Sequence, residues 1–180
     1  MVRQIGLDAD VIARAMAAQP VAEPYVASPP VLGASVPAME RDSIGAWAGD
    51  LFDTIWNGRR FDRLGRFYAA AAIVHSGGGR TVQGLPALSG LLLSILAAMP
   101  DGILMVKNVC WSNETDGVIV AVRWVLAGSS SRGGILGDAL PEGRPVFMMG
   151  SSHLRLGGSH IVEEWTVFDE IAVMAMAWRE

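Results

Sequence analysis

The sequence predicts an α+β fold with helices on one face of a curved antiparallel sheet. Before residue 101, apolar residues recur at helical spacing, as Ile44, Trp47 and Leu51 do. Beyond residue 101 the pattern changes to the alternation that is typical of strands, and glycine-rich turns separate the segments. A run of strands after a run of helices favours this class over the alternating units of a parallel sheet.

Three helices are expected first. Ser43 can cap the first, and Asn57 and Gly58 end it. Gly84 precedes the third, which has Pro86 in its first turn. The predicted helices cover residues 43–57, 61–68 and 84–99, and the predicted strands cover residues 70–75, 103–111, 118–126, 146–156 and 161–169. Residues 170–178 fit either a last strand or a terminal helix.

Residues 1–37 differ from the rest because they hold five of the nine prolines. We predict an extension with one short helix, capped by Asp8 or Asp10, followed by extended chain. The folded domain then comprises residues 38–180.

Composition excludes several functions. The chain has 180 residues, a net charge of −4 and 51% hydrophobic residues, enough for one domain with a real core. One lysine, Lys107, and no basic stripe argue against binding to nucleic acid or to an anionic membrane. A single cysteine, Cys110, indicates a reducing compartment. Without an apolar signal or a spanning segment, we expect a cytoplasmic protein.

The ordered set of motifs resembles the SnoaL-like polyketide cyclases of the nuclear-transport-factor-2-like superfamily. The resemblance covers residues 40–178 and rests on five segments: Leu51–Gly58, Val74–Ser76 with the glycine loop after it, Met99–Asp101, Val120–Trp124 and Ile161–Asp169. The last segment is the most specific, since it matches the closing Glu-x-Trp-x-x-x-Asp strand of the family. The loop from Gly128 to Gly133 departs from the family because it holds no histidine.

The resemblance implies a cone-shaped sheet, closed by the N-terminal helices, around an apolar pocket for a small carbonyl or polyketide-like compound. It also implies cofactor-free ring closure, with Asp169 as the acid/base and His153 as a pocket histidine. The chemistry is plausible because burial raises the pKa of a carboxyl towards neutrality, where it exchanges carbon-bound protons best. A metal site is not expected, since the three histidines lack the helical spacing of zinc ligands.

Strand alternation gives a test of which side chains share the pocket. If Asp169 faces inwards, Trp165 does too. An even turn after the preceding strand puts Met148 on that face and points His153 away, whereas a one-residue bulge reverses the relation.

Other candidates have two interpretations each. Trp124 and Trp56 either line the pocket or pack in the core. His75 is a catalytic or a rim histidine, and Arg123 either pairs with a pocket carboxylate or lies at a dimer edge. Asp169 itself either contacts the ligand or caps the following segment.

Two classes of function therefore compete: a cyclase, isomerase or related lyase, and a non-catalytic module that binds an apolar ligand or dimerises. An epoxide hydrolase is a third option, and would need Asp53, Arg123 and Asp169 around one water. An enclosed Asp169 would favour the enzyme, and an exposed or capping Asp169 the module. The strand from Val118 to Leu126 is apolar on both faces, so we expect a homodimer through the outer sheet face.

Overall fold

The computed structural model describes residues 41–115 and 117–179, and it confirms the α+β class. The predicted extension over residues 1–37 lies outside the described residues. A curved six-stranded sheet, in the order β2-β1-β6-β5-β4-β3, forms one layer, and the helices form the other. Its strands are β1 (Tyr68–Ser76), β2 (Arg80–Gln83), β3 (Ile103–Glu114), β4 (Gly117–Ser129), β5 (Pro145–Gly157) and β6 (His160–Phe168).

The first and third predicted helices follow the expected boundaries closely, whereas the second, expected over residues 61–68, is only a 3-10 turn because Tyr68 already begins β1. Helix α1 (Arg41–Phe52) continues as a π-helical turn over Asp53–Asn57 and ends at Gly58. Helix α2 (Leu85–Ala97) begins after Gly84 with a proline in its first turn. The open question at the C-terminus is settled by α3 (Glu170–Ala177), a helix that packs against β5. Short 3-10 turns cover Phe61–Arg66, Gly77–Gly79 and Gly134–Ala139.

Two details of the sheet differ from the prediction. The edge strand β2 was not predicted, because its four residues give too short an alternation to distinguish a strand from a loop. Strand β1 pairs with β6 in parallel, with Val74 opposite Glu164, whereas the other described pairs are antiparallel. The parallel pair brings the first strand of the chain against the last.

The core lies between the helices and one face of the sheet, which we call the inner face. On β4 every second residue from Val118 to Leu126 is buried, while the residues between them face outwards and are partly exposed. Helices α1 and α2 cover this inner face with side chains such as Leu51, Ile55 and Leu92. The sheet therefore has one covered face and one bare face over its central strands.

No helix in the described part of the chain is both long and apolar enough to cross a membrane.

Candidate functional site

Strand β6 carries a buried carboxyl on its inner face. Glu164 is 8% exposed and lies opposite Leu154 of β5, and Thr166, two residues on, lies opposite Ser152. Both partners are themselves buried. An ionisable side chain inside an apolar core is costly unless it is hydrogen-bonded, so its partners decide its state.

A chain of hydrogen bonds ends on this carboxyl. Tyr68 donates its hydroxyl to Glu164 Oε2 at 2.7 Å, and Thr166 Oγ1 donates to Glu164 Oε1 at 2.5 Å. Trp124 Nε1 donates to Ser152 Oγ at 3.1 Å, and Ser152 Oγ lies 2.6 Å from Thr166 Oγ1. An indole N–H only donates, and the proton of Thr166 is used on Glu164, so Ser152 donates to Thr166. Every donor in this series of hydrogen bonds is therefore oriented towards the carboxyl of Glu164.

Burial and hydrogen bonding act on Glu164 in opposite directions. Burial raises the pKa of Glu164 above its usual value, and the hydrogen bonds from Thr166 and Tyr68, with Ser152 behind Thr166, offset part of that rise. Burial and the adjacent carboxylate hold the pKa of Tyr68 well above its ordinary range, so Tyr68 remains a donor. A carboxyl with a raised pKa and fixed donors can both take up and return a proton.

Aromatic side chains lie next to this chain of hydrogen bonds. The rings of Trp56 and Trp124 have centroids 6.0 Å apart, and Phe168 lies 6.2 Å from Trp124. Gly150 pairs with Trp124 across β4 and β5, and a Cβ there would overlap the indole ring. The absence of a side chain at this position lets the indole lie over the strand, with its N–H towards Ser152.

Asp169 does not occupy the expected interior position. It is exposed, and its carboxyl accepts a hydrogen bond of 2.9 Å from the backbone N–H of Ala172, which makes it the N-cap of α3. The predicted inward placement is therefore wrong, because the strand ends at Phe168 and the next residue begins a helix. Capping was the alternative left open for this residue.

Trp165 and His153 both lie on the outer face. Trp165 was expected inside only if Asp169 was, and the pocket position of His153 was implied by the family resemblance; neither expectation is met. The two residues are directly opposite each other on β6 and β5. An irregularity between Arg155 and Leu156 shifts the register, which brings His153 onto the face of Trp165 as a bulge would. That face is the outer one, because Glu164 and Thr166 alternate with Trp165 and point inwards.

His75 belongs to a polar cluster on the same outer face. Its Nε2 lies 3.1 Å from Glu163 Oε1, its Nδ1 lies 3.1 Å from Thr81 Oγ1, and its ring stacks on Trp165 at 5.7 Å. Arg155 donates to the other oxygen of Glu163 at 2.5 Å. His75 and Arg155 together supply hydrogen-bonding partners for the buried carboxyl of Glu163, outside the core. The position of His75 in this outer cluster favours its interpretation as a rim histidine.

Arg123 is exposed on the outer face, opposite Ser151 and Asn108. Glu163 pairs with Arg155 instead, so Arg123 does not pair with that carboxylate, and its position at a dimer edge stays a prediction. The proposed cluster of an epoxide hydrolase gains no support, since Asp53, Arg123 and Asp169 are all exposed.

Three predicted residues do lie on the inner side. Trp124 and Met148 are almost fully buried on β4 and β5, and Trp56 is buried at the end of α1. Whether they contact a ligand remains a prediction.

The sequence interpretation missed Glu164, Tyr68 and Ser152 as members of a site. One signal was available: the neighbours Glu163 and Glu164 occupy one strand, so one of them must point into the core.

An open cleft of about 440 Å³ lies elsewhere, between the start of β5 and the C-terminal end of α3. Its walls are formed by Ala127, Arg144, Pro145, Val146, Phe147, Met176 and Arg179. None of the residues bonded to Glu164 lines it, so this cleft is separate from the buried carboxyl.

Comparison with protein families identifies the class. Residues 48–176 match the family model for SnoaL-like polyketide cyclase, and this span is well over half of the chain. The chain belongs to the SnoaL-like polyketide cyclase family. No curated protein matches it.

Solved structures share the fold at low identity. A candidate SnoaL-like polyketide cyclase from Jannaschia sp. CCS1 is 19% identical, with a TM-score of 0.65 over 82% of this chain and 99% of its own. IdmH, a candidate polyketide cyclase from Streptomyces antibioticus, is 24% identical, with a TM-score of 0.61 over 76% and 98%. A protein of ketosteroid isomerase-like fold from Catenulispora acidiphila DSM 44928, in complex with trimethylamine, is 19% identical, with a TM-score of 0.56 over 79% and 94%.

Proposed function

We propose that this protein is a cofactor-free cyclase, or a related isomerase or lyase, that acts on a small apolar carbonyl compound through the carboxyl of Glu164. The observation that carries the proposal is the buried Glu164, with donors from Tyr68 and Thr166 on its two oxygens. Membership of the family supports the polyketide-like class of substrate.

The proposed reaction begins at a carbon next to the substrate carbonyl. Glu164 takes the proton from that carbon, the electron pair of the C–H bond forms the C=C bond, and the carbonyl π electrons move to oxygen. The resulting enolate carbon attacks a second carbonyl or is reprotonated, and Glu164 returns its proton. The raised pKa of Glu164 suits both transfers, and the rings of Trp56, Trp124 and Phe168 offer apolar packing to a flat substrate.

Glu164 replaces Asp169 as the proposed acid/base, although the family resemblance points to Asp169. Asp169 is exposed and its carboxyl caps α3, so it does not face the interior in which an apolar substrate would lie. The same exposure of Asp169 supports a second candidate function, in which the protein binds an apolar ligand without turning it over.

The test is turnover of a panel of β-keto esters and anthraquinone precursors by the wild type, Glu164→Gln and Asp169→Asn. Glu164→Gln keeps the side-chain shape and should reduce kcat by about 10²- to 10⁴-fold, the usual contribution of general acid–base catalysis. Asp169→Asn should turn over like the wild type, because asparagine caps helices as well as aspartate does.

Each other result has a definite meaning. Loss of turnover in Asp169→Asn alone would restore the assignment from the family. Binding of the panel compounds by the wild type, without turnover of any of them, would support the non-catalytic module.

We also propose a homodimer through the outer sheet face of the central strands. This face exposes large apolar side chains, with Met149 at 63% and Val167 at 65%, and others at Ile103, Met105 and Phe147. Bare apolar surface of this kind usually marks an interface. The single cysteine and the acidic composition support a cytoplasmic site of action.

A further inference from the structure

Ser76, the last residue of β1, has a buried hydroxyl with no hydrogen-bonding partner in the described part of the chain. The residue is 9% exposed. Buried polar groups in proteins are nearly always paired, and a genuine exception calls for an explanation such as a role in ligand binding or catalysis.

The position of Ser76 places it on the face of the proposed site. Strand β1 is parallel to β6, with Val74 opposite Glu164 and His75 opposite Trp165. His75 faces outwards, so Ser76, the next residue, faces inwards with Val74. The following residue, Gly77, lies against the ring of Phe168. The free hydroxyl therefore belongs to the same inner surface as Glu164 and the aromatic side chains.

The hydroxyls around Glu164 are already engaged. Tyr68 and Thr166 donate to Glu164, and Ser152 donates to Thr166. These neutral hydroxyls come from β1, β6 and β5: Tyr68 and Thr166 bond Glu164 directly, and Ser152 acts through Thr166. Ser76 adds a donor that this arrangement does not use.

We propose that the Ser76 hydroxyl donates a hydrogen bond to the carbonyl oxygen of the substrate and stabilises the negative charge that develops there. This proposal rests on the proposed function and narrows its substrate to a compound whose oxygen is held at Ser76 while its acidic carbon faces Glu164. As the proton moves from carbon to Glu164, the electron pair reaches the oxygen. Ser76 keeps its own proton throughout and only shares it with that oxygen.

The spacing along the strand is compatible with such a substrate. Val74, opposite Glu164, and Ser76 are two residues apart, which is roughly 6.5 Å along a strand. A carbonyl group and its neighbouring carbon fit that span, with a contact of about 3–3.5 Å at the carbon and about 2.7 Å at the oxygen.

The first arm of the test is stability. Ser76→Ala removes an unpaired hydroxyl, so its midpoint of chemical denaturation should equal or exceed that of the wild type. Ser152→Ala is the matched control, because it removes a hydroxyl that is fully bonded, and its midpoint should fall. If Ser76→Ala loses as much stability as Ser152→Ala, the hydroxyl has a structural partner and the proposal is overturned.

The second arm is recognition of an oxygen, and it does not need turnover. The probes are 2-naphthol, which mimics an enol, and 2-methylnaphthalene, which has a methyl group in place of the hydroxyl. Calorimetry should show about tenfold weaker binding of 2-naphthol to Ser76→Ala than to the wild type, and equal binding of 2-methylnaphthalene. Equal binding of both probes to both proteins would contradict the proposal.

The third arm is kinetic and separates this inference from the proposed function. On any panel substrate that the wild type converts, Ser76→Ala should lower kcat by about 100-fold with little change in KM. If Glu164→Gln is impaired but Ser76→Ala is not, the proposed function stands and the role of Ser76 is wrong. If Glu164→Gln matches the wild type while Ser76→Ala still loses affinity for 2-naphthol, the function is wrong and Ser76 remains a ligand contact.

Discussion

Glu164 combines two opposing effects in one side chain. Its burial favours the neutral acid, whereas the hydroxyls of Tyr68 and Thr166 favour the charged form by donating to both oxygens. The net result is a pKa above the usual value, so the folded protein holds this proton more tightly than the unfolded chain does. The stability of the protein is therefore linked to the protonation of this residue.

The first prediction concerns the pH dependence of that stability. Because the folded-state pKa is raised, the folded protein binds more protons than the unfolded chain between the two pKa values, and its stability falls as pH rises through that window. Glu164→Gln cannot ionise and escapes this loss. The free energy of unfolding of Glu164→Gln minus that of the wild type should therefore rise from acidic to neutral pH, as measured by urea denaturation.

The control for this prediction is Glu114→Gln, a change at an exposed carboxyl on β3. Its difference from the wild type should vary much less over the same pH range. A flat difference for Glu164→Gln would show that this carboxyl has the same pKa in the folded and unfolded states, contrary to the account.

At the scale of elements, the hairpin of β5 and β6 decides which residues form the site. The alternating pattern correctly predicted both strands, and with them the fold class, because a pattern of period two is a local property of the sequence. It could not decide which of the two faces is covered. That choice depends on the register shift between Arg155 and Leu156 and on the end of β6 at Phe168, which are tertiary features.

Because the alternating pattern is local and the faces of the sheet are set by tertiary features, the sequence indicates some residues of the site and not others. Trp124 was expected on the inner side, as a pocket or a core residue, and it lies there. Met148 was expected inside only through the face that it shares with Asp169, so its buried position is right although that reasoning failed. Glu164 was missed because alternation turns adjacent glutamates to opposite faces without saying which of the two faces is covered. Tyr68 was missed because it contacts Glu164 through the parallel pairing of β1 with β6, between residues 96 positions apart.

The second prediction concerns the packing of β5 under Trp124. Gly150→Ala should lower the free energy of unfolding by about 1–3 kcal/mol, because the added methyl group overlaps the indole ring. Gly45→Ala in α1 is the matched control. It has no atom within 4 Å of the new methyl group and should raise stability by about 0.5–1 kcal/mol. Equal effects of the two changes in urea denaturation would contradict the packing described.

At the scale of the whole molecule, the sheet is asymmetric. The helices cover the inner face, and the outer face of β3 to β6 exposes apolar side chains from three of its strands. The polar cluster of His75, Glu163 and Arg155 lies towards the β1 end of the same outer face. Protein interfaces usually have an apolar core and a polar rim, and the outer face of the sheet has both kinds of surface side by side.

The third prediction follows for the assembly. Met149→Glu places a charge in the middle of the exposed apolar area and should convert a dimer into a monomer, as measured by light scattering at micromolar concentration. Leu93→Glu is the matched control, because Leu93 is 52% exposed on α2, in the other layer. This substitution should leave the dimer intact. A wild-type protein that is already monomeric would contradict the proposed interface.

The most direct measurement of the central claim is the electron density of crystals soaked with 2-naphthol. The account predicts the ring between the helices and the inner face of the sheet, against Trp56, Trp124 or Phe168, with its oxygen on the side of Glu164 and Ser76. Density for the compound only in the cleft beside Arg144, or an interior closely filled by side chains with no place for the ring, would contradict a reaction at Glu164.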